Sequence, residues 1–158
     1  MAVETEHKYL VKDDTYLSMS RESYHILQGY LSRDPERTVR VRVRDREGFL
    51  TVKGISRGDS RLEFEYPIPY EDAIELLGLC LGNIIDKTRY IVDYRGHRWE
   101  VDKFESPRRL TVAEIELPTS DTPYELPPFV GENVTGNPDY YNSVLSGTGT
   151  SSAPFLES

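Results

Sequence analysis

The residues of this sequence that could do chemistry are charged side chains that recur at every second position. Arg and Lys bind phosphate oxygens, Arg through two parallel donors and Lys through a compact charge. Asp and Glu supply the hard oxygen ligands that Mg²⁺ and Mn²⁺ prefer. The basic positions are Lys8, Arg40, Arg42, Arg44, Lys53, Lys87 and Arg89, and the acidic ones are Glu4, Glu6, Glu63, Glu65, Glu100, Asp102, Glu114 and Glu116. This chemistry suits a polyanion together with divalent cations.

Apolar residues fill the positions between these charges, and such alternation predicts β-strands. Residues i and i+2 of a strand point the same way, so each charged set lines one face. Short turn signals between the runs favour antiparallel hairpins. Eight strands are predicted, at Val3–Val11, Tyr24–Leu31, Arg37–Arg44, Gly48–Gly54, Arg61–Ile68, Asp86–Tyr94, Arg98–Phe104 and Leu110–Leu117. An apolar stripe over Tyr70–Leu81, stopped by Gly82, predicts a helix, and weaker helical turns are predicted at Asp13–Ser18 and Asp139–Leu145.

Two arrangements of the charged faces fit this pattern. In the first, they are the solvent faces of an ordinary sheet that packs on a core. In the second, eight antiparallel strands close into a barrel, the charges point inward and helices cover the apolar outer faces. The polar positions are almost all ionisable and are segregated by sign between strands, which favours the second arrangement. We therefore expect a mainly β (α+β) fold, an eight-stranded antiparallel β-barrel tunnel with a charged interior that solvent, pairing or a ligand must neutralise.

Length, charge and cysteine content narrow the class of protein further. The chain has 158 residues, enough for one domain, and its net charge of −8 argues against general nucleic-acid binding. Cys80 is the only cysteine, which excludes an intramolecular disulfide and a thiolate metal cluster. Because no segment has the apolar length of a signal region or membrane span, we expect a cytoplasmic protein without a membrane partner. The sequence leaves open whether the protein forms a homodimer. We expect one domain at residues 1–145 and a disordered tail at 146–158.

The segment Glu4-Thr5-Glu6-His7-Lys8 resembles the ExExK signature of the CYTH superfamily, the triphosphate tunnel metalloenzymes. Further blocks that are similar to the family follow in family order, at Arg37–Arg44, Leu50–Gly54, Arg61–Ile68, Lys87–Tyr90, Trp99–Phe104, Val112–Leu117 and Gly131–Asn142. The resemblance covers about residues 2–145 and is to the short, single-domain bacterial members. It implies a tunnel that binds a linear triphosphate and a divalent metal, Mg²⁺ or Mn²⁺.

The resemblance also implies roles for single residues. Phosphate oxygens would be bound by Lys8, Arg40, Arg42, Lys53, Lys87 and Arg89, and the metal by Glu4, Glu6, Glu114 and Glu116, with Asp102 nearby. Lys8 and Tyr30, which matches a tyrosine near the signature lysine, are candidate catalytic residues. The resemblance leaves the role of Glu63 and Glu65 open; we expect either a second metal or one of these two carboxylates to orient the attacking water. Asp139 departs from the family, because members often carry a basic residue there.

Short bacterial members of this family are most often inorganic triphosphatases, so we expect hydrolysis of tripolyphosphate to pyrophosphate and phosphate. One alternative is a class IV adenylate cyclase, although the sequence shows no pocket that would recognise a base. Another is a non-catalytic polyphosphate binder, which could lose the metal carboxylates. Assays of cyclic AMP formation and of phosphate release distinguish these functions.

Overall fold

β-Strands form in every segment where charged and apolar residues alternate. The structure is a computed structural model that describes residues 3–145, without the side chains of Glu4 and Ser143; the tail predicted at 146–158 lies outside these residues. The strands are β1 (Val3–Val11), β2 (Glu22–Asp34), β3 (Arg37–Arg44), β4 (Glu47–Gly54), β5 (Ser60–Ile68), β6 (Leu81–Tyr94), β7 (His97–Ser106), β8 (Leu110–Glu116) and β9 (Val130–Asn133). The helices are α1 (Tyr16–Met19), α2 (Tyr70–Leu77) and α3 (Asn142–Leu145), and a 3-10 turn spans Pro138–Tyr140.

The strands close into an antiparallel barrel. The sheet order is β5-β4-β3-β2-β6-β7-β8-β1-β9, and β5 pairs back onto β1 to complete the ring. Eight strands form this ring, whereas β9 adds to the free edge of β1 beyond the point where β5 leaves it. The predicted eight-stranded antiparallel barrel is confirmed.

Two apolar layers cover the outside of the barrel. Helix α2 places the buried Ala73 against Val41 and Val43, the outward-facing valines between the arginines of β3. On the opposite side, Trp99 and Phe129 are buried in a second cluster with the outer residues of β1, β6 and β8. The outer packing predicted for Trp99 is therefore observed. These layers cover the outer faces of most strands, whereas Leu62, Phe64 and Tyr66 of β5 stay exposed. The alternate residues of each strand look into the barrel.

The barrel interior is divided into a charged part and an apolar part. At one end Tyr30, Ile85, Phe104, Val112 and Leu145 form a buried cluster, which Tyr140 and other partly buried residues extend. Leu145 comes from α3, so the C-terminal segment closes this end of the barrel. The predicted charged lining therefore occupies only the remaining length of the interior.

The prediction of a helix over Tyr70–Leu81 is wrong in its last turn. Helix α2 ends at Leu77, where the N–H of Gly78 bonds back to the carbonyl of Glu75. Leu79 is 70% exposed, and β6 already begins at Leu81 with Gly82 at a φ of 64°. The apolar stripe extended past the helix because β6 starts with apolar residues of its own.

None of the helices in the described part of the chain is long and apolar enough to cross a membrane.

Candidate active site

The charged part of the interior contains a cavity of about 380 Å³, which is within the usual size range of small-ligand sites. Most of its lining is ionisable, with eight basic and seven acidic side chains. The basic ones are Lys8, Arg40, Arg42, Arg44, Lys53, Arg61, Arg89 and Arg98, and the acidic ones are Glu6, Asp59, Glu63, Glu65, Glu100, Glu114 and Glu116. The cavity is therefore nearly neutral although the whole chain carries a net charge of −8.

Strand β3 contributes a row of guanidinium groups along the cavity wall. Arg40 is buried, and its Nη2 donates to Thr51 Oγ1 at 3.0 Å and to Glu65 Oε1 at 3.2 Å. Its Nε is buried and has no acceptor among the described residues. Arg42 Nε donates to Gln28 Oε1 at 2.9 Å. Desolvation and the neighbouring Arg40 lower the pKa of Arg42 to about 9, so Arg42 remains charged at neutral pH.

Lys87 and Arg89 of β6 share one carboxylate, Asp102 of β7. Arg89 binds it with two parallel bonds, Nε to Oδ1 at 2.7 Å and Nη2 to Oδ2 at 2.9 Å, and Lys87 Nζ lies 2.7 Å from Oδ2. Asp102 and Lys87 have almost no exposed surface and lie beneath the cavity wall, whereas Arg89 reaches the cavity. Burial raises the pKa of Asp102, but the two cations outweigh it and hold that pKa well below its usual range.

This placement bears on the role predicted for Asp102. Both of its oxygens already bond to cations, so in this arrangement it orients Lys87 and Arg89. Asp102 does not line the cavity, so the structure does not support metal binding by this residue.

Lys8 lies where the charged lining meets the C-terminal segment. Its Nζ donates to the Tyr140 carbonyl at 2.8 Å and lies 3.6 Å from Glu114 Oε1. Burial lowers the pKa of Lys8, but Glu114 and nearby carboxylates raise it more, so the net shift is upward and the group stays charged. Burial raises the pKa of Glu114, and Lys8 reverses this so that the carboxyl stays ionised.

The carboxylates predicted to bind the metal meet on two paired strands. In the β1–β8 register Glu6 lies opposite Glu116, and Lys8 lies opposite Glu114. All three carboxylates line the cavity. The backbone of Glu4 pairs with Arg61, whereas its side chain lies outside the described residues. The described side chains form no ready-made metal group of three or more His, Cys, Asp or Glu. Three oxygen donors around one cavity nevertheless have the chemistry that a hard divalent cation requires.

The remaining predicted residues also reach the cavity. Lys53 Nζ lies 3.6 Å from Glu63 Oε2, and Glu65 accepts from Thr51 Oγ1 at 2.9 Å. Tyr30 is buried at the boundary between the cavity and the apolar end of the barrel. Asp139 is exposed and does not line the cavity.

Sequence reasoning assigned no site role to several residues that line the cavity. Arg61 and Arg98 precede Glu63 and Glu100 by two positions, so extending the same alternation would have found them. Asp59, Thr135 and Gly136 lie in connecting segments, where no periodicity indicates direction.

The fold and the cavity define a class of protein: antiparallel barrels that bind a small polyanion inside a charged interior. The sequence matches the CYTH domain family over residues 2–146. It is 44% identical over 147 residues to a protein of Acetivibrio thermocellus named inorganic triphosphatase, which covers 92% of this chain and 94% of that protein. A Nitrosomonas europaea protein of the same name is 32% identical over 153 residues, or 90% of this chain and 96% of that protein.

A solved structure supports the same relationship. The crystal structure of an inorganic triphosphatase superimposes with a TM-score of 0.66 and 28% sequence identity, covering 92% of this chain and 98% of that chain. The present chain belongs to the CYTH domain family, as the ExExK segment and the blocks that follow it predict.

Proposed function

We propose that this protein is a divalent-metal-dependent hydrolase that converts inorganic triphosphate into pyrophosphate and phosphate. The observation that carries the proposal is the row of cations inside a small cavity, in which the buried Nε of Arg40 has no acceptor among the described residues. A phosphate oxygen is a suitable acceptor for this donor. The name shared by two relatives of similar length supports the same substrate.

The cations have two roles in this proposal. Arg40, Arg42, Lys53 and Arg89 would bind the phosphate oxygens along the cavity, and Lys8 would bind those near the apolar end. Lys87 and Arg89 are held in place by Asp102, so their side chains are in position before the substrate arrives. Such preorganised charge stabilises the negative charge that spreads over the transferred phosphoryl group.

The metal would be held by Glu6, Glu114 and Glu116, with Glu4 completing the set that the family signature implies. Mg²⁺ or Mn²⁺ bound there would neutralise phosphate charge that the side chains alone do not. Lys8 keeps Glu114 ionised and therefore ready to coordinate a cation.

Hydrolysis needs a water molecule that attacks a terminal or central phosphorus atom while a bridging P–O bond breaks. We assign the orientation of this water to Glu63 or Glu65, which face the cavity from β5. Tyr30 lines the cavity near its apolar end, where its hydroxyl would help to position Lys8 and the substrate.

The proposal is tested with a panel of substrates. Tripolyphosphate, ATP, thiamine triphosphate and pyrophosphate are each incubated with Mg²⁺ and with Mn²⁺, and phosphate, pyrophosphate and cyclic AMP are measured. We expect tripolyphosphate to give the highest kcat/KM, no turnover without metal, and loss of turnover in Glu114→Gln with the fold retained. Lys103→Ala, at an exposed position of β7, is the matched surface control and should keep full activity.

Two outcomes would replace the proposal with another function. Cyclic AMP and pyrophosphate formed from ATP would identify a cyclase. Tight binding of tripolyphosphate without turnover in either metal would identify a polyphosphate-binding protein.

A further inference from the structure

The barrel has its shortest strand pairing where β5 closes onto β1. Among the residues that the structure describes, three pairs join these strands, from Val3 opposite Leu62 to Thr5 opposite Ser60. At the next residue of β1, the partner is no longer a strand: the N–H of Glu6 donates to the carbonyl of Asp59 at 3.0 Å, in the turn between β4 and β5. Glu6 is therefore held on one edge of β1 by its pairing with Glu116 of β8 and on the other edge by this turn.

The turn itself is tight and reaches the cavity. Arg57 and Ser60 exchange two backbone hydrogen bonds, at 2.8 and 3.2 Å, around Gly58 with its φ of 66°. Gly58, Asp59 and Ser60 line the same cavity as Glu6. A shift of this turn would consequently move both the cavity wall and the backbone that carries Glu6.

His7 holds the turn from outside the barrel. It lies between Glu6 and Lys8, so its side chain points to the opposite face of β1. Its Nε2 lies 3.0 Å from Asp59 Oδ2, and its Nδ1 lies 2.7 Å from the Tyr124 hydroxyl, which in turn lies 2.6 Å from the Tyr9 hydroxyl. Tyr124 packs against Trp99 at 5.8 Å between ring centroids. The turn is thus connected through His7 to the outer apolar cluster.

Both ring nitrogens of His7 lie within hydrogen-bond distance of a partner, Nε2 of Asp59 and Nδ1 of the Tyr124 hydroxyl. Two partners on opposite edges of the ring fix the orientation of the imidazole.

A second His–Asp pair, His25 with Asp86, differs from the His7–Asp59 pair in its exposure to solvent. His25 Nε2 lies 2.8 Å from Asp86 Oδ1, but these side chains are 54% and 41% exposed and lie outside the cavity. His7 and Asp59 are 18% and 20% exposed, and His7 has a second partner. An exposed pair contributes little, whereas a more buried one with both nitrogens bonded holds its partner in place.

We propose that His7 and Asp59 are positioning residues, which fasten the β4–β5 turn onto β1 and thereby hold Glu6 in place for a divalent cation. Tyr124 supports them by fixing the imidazole. This inference rests on the proposed function for the role of Glu6. His7 does not line the cavity, whereas Asp59 does. Outer residues that orient a metal ligand change metal affinity by about 10- to 100-fold when they are removed.

The test compares three substitutions in the full chain. His7→Leu removes both bonds, His7→Gln keeps a donor directed at Asp59, and His25→Leu is the matched control at the exposed pair. Amide hydrogen exchange of Glu6 by NMR reports the turn without any ligand, and the EPR signal of free Mn²⁺ reports metal affinity without turnover. Thermal unfolding confirms that each variant is folded.

We expect His7→Leu to speed exchange at the Glu6 amide and to weaken Mn²⁺ binding by about tenfold. His7→Gln should recover part of both effects, and His25→Leu should show neither. In activity assays, His7→Leu should need more metal for half-maximal rate but approach the wild-type kcat at saturating Mn²⁺.

Unchanged Glu6 exchange or Mn²⁺ affinity in folded His7→Leu would overturn the inference, as would a wild-type protein that binds no Mn²⁺. If the wild-type protein binds Mn²⁺ but hydrolyses no tripolyphosphate, and His7→Leu still weakens Mn²⁺ binding, the proposed function fails while the positioning role stands.

Discussion

Lys87 is the cation whose surroundings differ most from water. Its ammonium is fully buried, 2.7 Å from Asp102 and 5.0 Å from the centre of the Phe104 ring. Burial, helped by Arg89 and Arg42, lowers the pKa of Lys87 to about 7 against the opposing effect of Asp102. The charge that this residue contributes to the site is consequently lost within the physiological range of pH.

This titration predicts a pH-dependent affinity for substrate. Because the free protein loses the Lys87 proton as pH rises through 7, and a polyanion favours the protonated form, the KM for tripolyphosphate should rise between pH 7 and 9. Steady-state kinetics at saturating metal measure this change. Lys87→Arg keeps its charge and should flatten the profile; an equal rise in that variant would assign the titration to another group.

Arg42 allows a prediction of magnitude. A hydrogen bond to a charged group contributes about 1.5–3 kcal/mol, so Arg42→Ala should lower kcat/KM for tripolyphosphate by about 10- to 150-fold. Parallel kinetics on Lys103→Ala, whose side chain is exposed on β7, should show less than a twofold change. A loss of only a few-fold in Arg42→Ala would remove this residue from the binding site.

Much of the site was predictable at this scale, because spacing by two determines which face of a strand a residue occupies. Lys8, Arg40 and Glu114 reach the cavity as that rule requires. Spacing does not determine depth, however, and Lys87 and Asp102 follow the same alternation yet lie beneath the wall. Asp59 was not predictable, since its place depends on a turn and on a contact with His7, 52 residues away in the sequence.

At the scale of elements, the sequence predicts where the barrel strands lie more accurately than the residues at which elements begin and end. The bounds of β1 and β3 match the predictions, because charged residues at every second position mark Glu4 to Lys8 of β1 and Arg40 to Arg44 of β3. β9 was missed, since four residues without alternation carry too weak a pattern. The end of α2 was misplaced because Leu79, Cys80 and Leu81 continue the apolar stripe although the backbone leaves the helix at Gly78.

The contact between β2 and the segment after α2 predicts a steric effect. A Cβ added at Gly29 would lie 2.8 Å from the Cys80 Cβ and 2.8 Å from the Ile84 Cδ1. Gly29→Ala should therefore lower the free energy of unfolding by about 1–3 kcal/mol, measured by denaturant titration. Gly54→Ala is the matched control, because its nearest neighbour would be Leu62 Cβ at an ordinary 3.5 Å. Equal stability of the two variants would contradict the packing described for Cys80.

At the scale of the whole molecule, the distribution of charge is uneven. The chain carries a net charge of −8, yet basic side chains slightly outnumber acidic ones around the cavity. The surplus of negative charge therefore lies elsewhere on the molecule. Net charge alone could not reveal this cavity lined by charges of both signs, because composition carries no positions.

Because the charged cavity exists only in the folded protein, we expect bound tripolyphosphate to stabilise the fold. Binding to the folded state alone contributes about 2.7 kcal/mol at a ligand concentration of 100 times Kd, which for a chain of this size raises Tm by about 5–10 °C. Differential scanning fluorimetry with tripolyphosphate in the absence of metal measures the shift without turnover. The shift should vanish in the double variant Arg40→Ala, Arg42→Ala; a full shift in that variant would place the ligand outside the cavity.

The apolar cluster of Leu145, Tyr140 and their neighbours has a consequence for the kinetics. Because this end of the barrel is closed, the product pyrophosphate has no separate exit from the cavity. Pyrophosphate and substrate must therefore bind the same guanidinium groups one after the other. Product and substrate then exclude one another, so pyrophosphate should act as a competitive inhibitor. A cavity that is closed at one end also favours short inorganic polyphosphates over phosphate chains that carry a large organic group.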